Sequence, residues 1–332
     1  MKKEELMDKI TIHTDKAANR TDKPFIPIIR FAERRKLLTF VSVLLLLTGC
    51  VKDDLYNTPH PDKGAVVITT DWTGRSSEAV VPSSYILRIG TQEQTVSESS
   101  NTFQTLFDPG TQDLLVYHQT EGITINESTA TVNTLADGTL EPMPGYLFSA
   151  ARKLEIEKDD TLKVTVPMQQ HIRSLTLTLK LKPGDEQRIR STAATLTGIA
   201  SAVNLTTGAI TATEGKTVIP AFVLGTDDGG MRAAGQTYTA GRTRSTGQPQ
   251  LSATMRLLGV IAGEKQVLTL KVTLTTGHVQ TIITDLTEAL KNFGGDMKPL
   301  ELDATLELAT EAGFTATISD WNVVDNGQVD IH

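Results

Sequence analysis

Cysteine is almost absent from this sequence, because Cys50 is the only one among 332 residues. A single thiol excludes an intramolecular disulfide framework and a zinc site built from several thiolates. Aromatic residues make up 5% of the chain, which is few for a sugar-binding surface. Acidic residues outnumber basic ones, 39 to 32, and no basic stripe with interleaved aromatic residues is present. The composition therefore gives no support to nucleic-acid binding.

Motifs that carry catalysis or bind metals are also missing from the sequence. It contains no GxSxG, no HExxH and no phosphate-binding glycine loop followed by lysine. The six histidines are scattered, at positions 13, 60, 118, 171, 278 and 332. The best calcium-like oxygens belong to Asp227, Asp228 and Asp296, but their spacing is not that of an EF-hand. We therefore predict no catalytic residue, no metal, no cofactor and no small-molecule substrate.

The most informative stretch is the apolar run from Leu37 to Leu47. Arg34, Arg35 and Lys36 precede these 11 mostly apolar residues. Such a run is too short to span a bilayer as a stable helix, but it is typical of the core of a secretory signal. We therefore predict that residues 1–49 form a leader and signal peptide that is removed.

Cys50 follows this run directly, in the sequence Leu-Thr-Gly-Cys. This segment resembles the lipobox of bacterial lipoproteins. The resemblance implies cleavage between Gly49 and Cys50, and acylation of the Cys50 thiol and of the new amino terminus. Several acyl chains hold a protein at a membrane far more firmly than one, since each buried methylene contributes roughly 0.8 kcal/mol.

The residues after Cys50 are predicted to form a tether that ends near residue 64. Pro59, Pro61 and Gly64 are typical of an irregular, extended linker rather than of a regular element. The cluster Lys52, Asp53 and Asp54 resembles the short signal that directs Bacteroidetes lipoproteins to the outer face of the outer membrane. The predicted address is therefore the cell surface.

The chain that remains after cleavage is long enough for two sandwich domains. Cleavage removes 10 basic and 6 acidic residues and leaves 283 residues with a net charge of −11. We predict an N-terminal sandwich over residues 65–167 and a C-terminal sandwich over residues 168–332. In the first, short β-branched segments bounded by turn formers predict strands. They are Gly64–Trp72, Tyr85–Gly90, Thr102–Phe107, Asp113–His118, Gly122–Asn126 and Thr161–Val166.

The second predicted domain has the clearest patterns. Ser174–Lys182 and Leu268–Leu274 alternate strictly between leucine or valine and polar residues, as half-buried antiparallel strands require. Further strands are predicted at His278–Ile283, Leu300–Leu308 and Thr315–Trp321. Asp285–Gly295 has the spacing of a helix that ends at a glycine pair. The pattern of Glu186–Ser201 fits either a helix or a loop with a strand, and residues 227–249 are predicted to be an exposed connection.

The lipobox and the predicted strands that end in Asp71-Trp72 and Asp320-Trp321 give this chain a resemblance to the Bacteroidales fimbrillin superfamily. Within that superfamily it is most similar to the anchor subunits of type V pili. The resemblance implies an all-β fold of two tandem transthyretin-like Greek-key sandwiches, with one short helix in the second. It also implies a lipid-anchored subunit of fimbriae on the outer membrane, joined to fimbrillin or pilin by β-strand exchange. Family pilins lose an N-terminal strand to an arginine-specific protease, and Arg75 lies where such a processing site could sit.

A second function is compatible with the same residues. Trp72 and Trp321 each close a predicted strand, and an exposed indole offers a flat stacking face to a sugar ring. If both indoles were exposed on one face, a glycan-binding surface lipoprotein of a nutrient-uptake system would be favoured. If both were buried, the pilus role would be favoured.

Overall fold

A computed structural model describes residues 62–227, 247–310 and 315–324 of the chain. In most of its strands, buried and exposed side chains alternate. This is the pattern that a strand with one covered face requires. The first ten are β1 (Ala65–Asp71), β2 (Tyr85–Ile89), β3 (Gln92–Val96), β4 (Ser100–Thr102), β5 (Gly110–Tyr117), β6 (Ile123–Asn126), β7 (Thr129–Val132), β8 (Phe148–Ile156), β9 (Thr161–Pro167) and β10 (Gln169–Gln170).

Two sheets of the first half enclose a core between them. One has the order β4-β1-β9 and the other the order β10-β8-β5-β2-β3. The first sheet contributes Val66 and Ile68 to this core, and the second contributes Leu87 and Val116, all with 0% exposure. This is a β-sandwich, in which the inward side chains of two sheets interdigitate.

The described part of the second half contains eleven strands, the longest of which has 11 residues. They are β11 (Arg173–Leu181), β12 (Ile189–Ile199), β13 (Ala202–Asn204), β14 (Lys216–Val218), β15 (Val223–Thr226), β16 (Pro249–Leu257), β17 (Val267–Leu274), β18 (Val279–Asp285), β19 (Leu300–Glu307), β20 (Thr317–Ile318) and β21 (Asn322–Val323). One sheet has the order β15-β16-β11-β19, extended by β20 and β21 along β19, and the other has the order β14-β12-β17-β18. Their inward residues, mostly leucines, form a second core.

A small fifth sheet joins the two halves. It has the order β13-β7-β6, so that a strand of the second half pairs with a hairpin of the first. The second core accordingly includes Leu115, Tyr117 and Ile123 from the first half. All described residues belong to one compact unit. The boundary between residues 167 and 168 therefore stays a prediction.

The all-β fold with one short helix in the second half is confirmed over the described residues. Ser174–Lys182 corresponds to β11, in which four leucines have 0% exposure. The predicted hairpin corresponds to β17 and β18, which pair antiparallel. None of the described helices is long and apolar enough to cross a membrane.

The predicted strand Thr102–Phe107 is wrong. β4 ends at Thr102, because the Phe103 and Phe107 side chains turn together into the first core. Their rings meet edge to face with centroids 5.0 Å apart. The main chain keeps two contacts with the start of β1: the Phe103 N–H donates to the Val66 carbonyl at 2.8 Å, and Phe107 forms an isolated bridge with Gly64.

The predicted helix Asp285–Gly295 is much shorter in the structure, where α1 spans Thr287–Leu290. Beyond it the main chain tightens, with Phe293 N–H donating to the Leu290 carbonyl over 2.9 Å. The Arg173 guanidinium of β11 donates to the Phe293 carbonyl at 2.7 Å and so satisfies an acceptor at the end of this segment. Leu286, Leu290 and Phe293 are buried, as their spacing predicts.

The structure also decides between the two alternatives for Glu186–Ser201 and divides one of the predicted strands. Glu186–Ser201 is a single 3₁₀ turn at Asp185–Gln187 followed by β12. The predicted closing strand Thr315–Trp321 is interrupted, since β20 and β21 pair with β19 on either side of Trp321. Most of the predicted connection 227–249 lies outside the described residues, at 228–246.

Candidate functional site

The residues predicted to attach the protein lie outside the described residues. They are Gly49, Cys50, Lys52, Asp53 and Asp54. Lipidation, signal cleavage and export therefore remain predictions. What the structure describes is the place where the predicted tether meets the folded body, beginning at Asp62.

Gly64 fixes the chain at this place. Its N–H donates to the Phe107 carbonyl at 2.9 Å and its carbonyl accepts the Phe107 N–H at 2.9 Å. A Cβ on Gly64 would lie 2.3 Å from the Glu157 carbonyl oxygen, so only glycine fits without a shift of the main chain. Exposed ion pairs flank it, from Lys63 to Asp108 at 3.2 Å and from Lys158 to Asp62. Such exposed pairs contribute little, so the backbone contacts hold this position.

The strand that follows, β1, lies in the middle of its sheet. It pairs in parallel with β9 along its whole length, from Ala65 opposite Thr161 to Asp71 opposite Pro167. On its other side it pairs antiparallel with β4. Its inward side chains Val66 and Ile68 are fully buried. The first strand after the tether is therefore an integral part of the first sandwich.

Trp72, at the end of β1, is a core residue. Its indole N–H donates to Thr70 Oγ1 at 2.9 Å, and its ring meets Tyr85 and Phe148 edge to face at 5.7 and 5.4 Å. Trp321 is half-buried, packs against the second core and donates to Thr284 Oγ1 at 3.1 Å. The two indoles therefore do not form the shared exposed face that a glycan-binding surface would need.

Arg75 lies in the loop between β1 and β2, and its side chain is folded back on its own main chain. Nη1 donates to the Trp72 carbonyl and Nε to the Ala79 carbonyl, both at 3.2 Å. One residue later, the Ser76 N–H donates to Gln170 Oε1 at 2.8 Å in a buried position. The peptide bond after Arg75 is thus held on both sides by contacts within the fold.

The same loop is fastened to the second half by Glu78. Its carboxylate accepts hydrogen bonds from Tyr146 at 2.8 Å and from Ser174 at 2.7 Å, and these two hydroxyls lie 2.8 Å apart. The Arg256 guanidinium lies 4.3 Å above the Tyr146 ring. Burial, more than any other cause, raises the pKa of the Tyr146 phenol, so it stays a neutral donor. We call Glu78, Tyr146 and Ser174 the latch.

Two buried histidines lie near the junction of the halves. His171 Nε2 lies 2.7 Å from Ser149 Oγ, and that hydroxyl also donates to the Leu205 carbonyl at 2.7 Å. Nε2 must therefore carry the proton and donate it to Ser149. Burial lowers the pKa of His171 to about 4 and also lowers the pKa of His118. Within the described residues, His118 Nδ1 has no hydrogen-bond partner.

No metal or catalytic centre emerges from the part of the chain that the structure describes. It contains no group of three or more His, Cys, Asp or Glu side chains that could hold a metal. Asp296, one of the calcium-like residues, accepts the Lys298 N–H at 2.9 Å in a turn. Asp227 accepts the Gln248 N–H at 2.8 Å, whereas Asp228 lies outside the described residues.

A cavity of about 410 Å³ lies beside His171, between β10, the segment that joins β16 to β17, and α1. Its polar lining groups are already engaged. Glu264 accepts the Gly215 N–H at 3.1 Å, and Gln266 donates to the Glu264 carbonyl at 2.7 Å. Lys291 pairs with Glu288 at 2.9 Å. The cavity therefore offers no set of converging free groups of the kind that catalysis needs.

Sequence reasoning missed the Arg75 contacts, the latch and the two buried histidines. These side chains meet partners distant in the chain, such as Gln170 and Ser174, and no local pattern marks them.

A family model described as the fimbrillin-A associated anchor proteins Mfa1 and Mfa2 matches residues 57–327. The search of curated proteins gave no match.

Several solved structures share the fold. The fimbrial anchor protein Mfa2 from Porphyromonas gingivalis is 10% identical, with a TM-score of 0.51 over 79% of this chain and 97% of that one. A candidate adhesin from Bacteroides ovatus is 15% identical, with a TM-score of 0.51 over 79% and 95%. A candidate polysaccharide-binding protein from Bacteroides thetaiotaomicron is 8% identical, with a TM-score of 0.53 over 80% and 99%. At these identities the likeness is one of fold.

Proposed function

Because this chain belongs to the family of fimbrillin-A associated anchor proteins, we propose that it is the subunit that fastens a fimbrium to the outer membrane through a lipid on Cys50. Its role is structural: it binds fimbrial subunits at the cell surface and catalyses no reaction. The observation that carries the proposal is the position of β1, which follows the tether directly and is paired on both sides.

Attachment begins at Cys50. Cleavage after Gly49 leaves Cys50 as the acylated amino terminus, and Lys52, Asp53 and Asp54 direct the protein to the outer face of the outer membrane. The short tether then leads to Gly64, whose two hydrogen bonds to Phe107 mark where the folded body begins. A pull on the fimbrium is thereby transmitted to the membrane through β1.

Retention of β1 is what makes this subunit an anchor rather than a link in the polymer. An incoming strand could occupy the place of β1 only if β1 were removed, because main-chain N–H and C=O groups of β4 and β9 are already hydrogen-bonded to β1. The Arg75 loop supports retention, since the guanidinium is bound to the carbonyls of Trp72 and Ala79. The subunit therefore ends the polymer at its base, and a fimbrial subunit joins it by strand exchange elsewhere in the fold.

The proposal is tested in cells that assemble fimbriae, by replacing Cys50 with Ala. We expect the fimbriae to be assembled but released into the medium, and the variant protein to co-purify with the released fimbriae. Thr58→Ala, in the same tether, is the matched control and should leave fimbriae on the cells. Fimbriae that stay attached to cells carrying Cys50→Ala would contradict the proposal.

A further inference from the structure

The tether and the second half join β1 at opposite ends. At the start of β1 lies Gly64, where the tether meets the folded body. At its end, the Asp71 carbonyl accepts the N–H of Met168 at 2.8 Å, and Met168 belongs to the segment that leads through β10 into β11. Past this end, Glu78 of the latch binds Ser174, a residue of β11. A strand of this length spans about 20 Å, which separates the two attachments.

β9 runs beside β1 in the same direction. The two strands pair in parallel from Ala65 opposite Thr161 to Asp71 opposite Pro167. The tether is attached to the start of β1, whereas the chain leaves for the second half from the end of β9. A pull between the tether and the second half therefore draws β1 backward and β9 forward. The hydrogen bonds run between the strands and not along them, so this pull loads all of them at once, in shear.

β4 holds the other side of β1. Their antiparallel pairing is extended by the Phe103 N–H, which donates to the Val66 carbonyl at 2.8 Å, and by the Thr70 N–H, which donates to the Ser99 carbonyl at 2.9 Å. A pull on the tether must therefore move β1 past two neighbouring strands, and no bond of either ladder can open alone.

The inward side chains of β1 oppose movement toward the tether. From the start to the end of the strand they are Val66, Ile68, Thr70 and Trp72, so the largest lies farthest from the tether. A slide by two residues would carry the Trp72 indole into the space of Thr70. It would also carry the Thr70 hydroxyl into the fully buried, apolar space of Ile68. A close-packed core has no room for the larger ring, and a buried hydroxyl without a partner is costly.

The facing sheet holds this end of β1 in place. The Trp72 indole donates to Thr70 Oγ1 at 2.9 Å, and that hydroxyl lies 3.1 Å from the hydroxyl of Tyr85 on β2. The indole also meets the rings of Tyr85 and of Phe148 on β8 edge to face. Movement of β1 would break these contacts together with the ladders.

We propose that β1 is a mechanical clamp: a pull between the tether and the second half loads its ladders with β9 and β4 in shear, and the Trp72 indole stops the strand from sliding toward the tether. The direction of the load rests on the proposed function, in which the tether leads to the membrane, and on entry of the load through the second half. The clamp resists force through a slow unfolding step, because forced unfolding is governed by the unfolding rate and not by equilibrium stability.

Single-molecule force spectroscopy tests the clamp by changing only the points of attachment. In full-length protein produced without its lipid, Cys50 in the tether is one handle, and Gln169→Cys, at an exposed position just past β9, is the other. The matched control carries Cys50→Ser, Val80→Cys and Gln169→Cys, so that the load enters at the exposed Val80 and does not pass along β1. Urea unfolding should give the same free energy for both proteins. We expect a higher unfolding force through the tether, and an equal or lower force there would overturn the inference.

Trp72→Phe provides the second measurement. Phenylalanine keeps an aromatic ring but is smaller and cannot donate to Thr70. We expect the unfolding force to fall more through the tether than through the loop, because only the first geometry drags this side chain through the core. Val116→Ala, in the same core but on β5, is the control and should not lower the force more through the tether. Should Trp72→Phe fail to fold, Ile68→Val enlarges the space ahead of Thr70 and serves instead.

An equal fall in both geometries would overturn the role assigned to Trp72. These measurements use protein without lipid and without a fimbrial subunit. They can therefore fail while the test of Cys50→Ala succeeds, and the reverse, so the clamp and the anchor function are judged separately.

Discussion

β1 and β18 are both strands of 7 residues with alternating side chains, yet they have opposite surroundings. β1 is paired on both sides, and its Ile68 is fully buried. β18 is paired on one side within the described residues, and its Ile283 is 69% exposed. A local strand pattern therefore does not determine whether a strand lies between two others, as β1 does, or at the edge of its sheet, as β18 does within the described residues.

The largest difference between the two strands is expected at Ile68. Replacing a fully buried isoleucine by alanine leaves a cavity, and we expect Ile68→Ala to lower the free energy of unfolding by about 2–5 kcal/mol. Ile283→Ala, on β18, should change it by no more than about 0.5 kcal/mol. Urea unfolding followed by circular dichroism measures both variants. Equal effects would contradict the assigned roles of the two strands.

Acid should weaken the junction between the halves. The pKa of His171 is about 4 in the folded protein, against the ordinary value of 6.5. Between these two pKa values the unfolded chain binds a proton at His171 that the folded protein does not bind. The free energy of unfolding is therefore highest above pH 6.5 and decreases as the pH falls toward 4. His171 alone should account for a loss of about 2 kcal/mol between pH 7 and pH 4.5.

Urea unfolding of the wild type and of His171→Gln at these two pH values separates this effect from that of the carboxylates, which both proteins share. The wild type should lose more stability than the variant. An equal loss in both proteins would show that His171 does not titrate in this way.

Gly64→Ala tests how tightly the start of β1 is held. The added Cβ would lie 2.3 Å from the Glu157 carbonyl oxygen, so the main chain has to shift. We expect a loss of about 1–3 kcal/mol, as for other overpacked sites. A Cβ on Gly294 meets no atom within 4 Å, so Gly294→Ala is the control and should not destabilise the protein. Thermal unfolding of both variants measures the difference, and an unaffected Gly64→Ala would refute the tight fit.

The latch gives the smallest expected effect. Glu78→Gln replaces a charged acceptor of two hydrogen bonds by a neutral one, which should cost about 1 kcal/mol. Glu288→Gln, which breaks only the exposed ion pair with Lys291, should cost less. Hydrogen exchange of the amides in the Arg75 loop should become faster in Glu78→Gln and stay unchanged in Glu288→Gln. If exchange in the loop does not respond to Glu78→Gln, the latch does not hold the loop.

The strands that could be predicted from the sequence are those with a local pattern of alternating residues. The leucines of β11 and the hairpin β17–β18 follow from alternation alone, because neighbouring strands joined by a short turn impose their own register. The parallel partners of β1 and β11, which are β9 and β19, could not be predicted, since parallel pairing joins residues far apart in the chain.

Local patterns also fail where a side chain from elsewhere intervenes. The apolar spacing that predicted a helix over Asp285–Gly295 is correct for burial, but the regular helix ends at Leu290, and the main chain beyond it forms tighter turns whose last carbonyls find partners elsewhere, as Phe293 does with Arg173. Thr102–Phe107 has a strand-like pattern, yet the chain between Phe103 and Phe107 is not a strand, and the two rings pack on each other in the core. For the candidate site, Cys50 and its neighbours were predicted from a motif, whereas the Arg75 contacts and the latch depend on tertiary packing.

Mass spectrometry of the amino terminus of this protein, isolated from the membranes of cells that produce it, shows at once whether Cys50 carries the lipid and whether β1 is retained. We expect a chain that begins at an acylated Cys50 and continues without a break through β1 and Arg75. A chain that begins at Ser76, or one in which Cys50 carries no lipid, would contradict it.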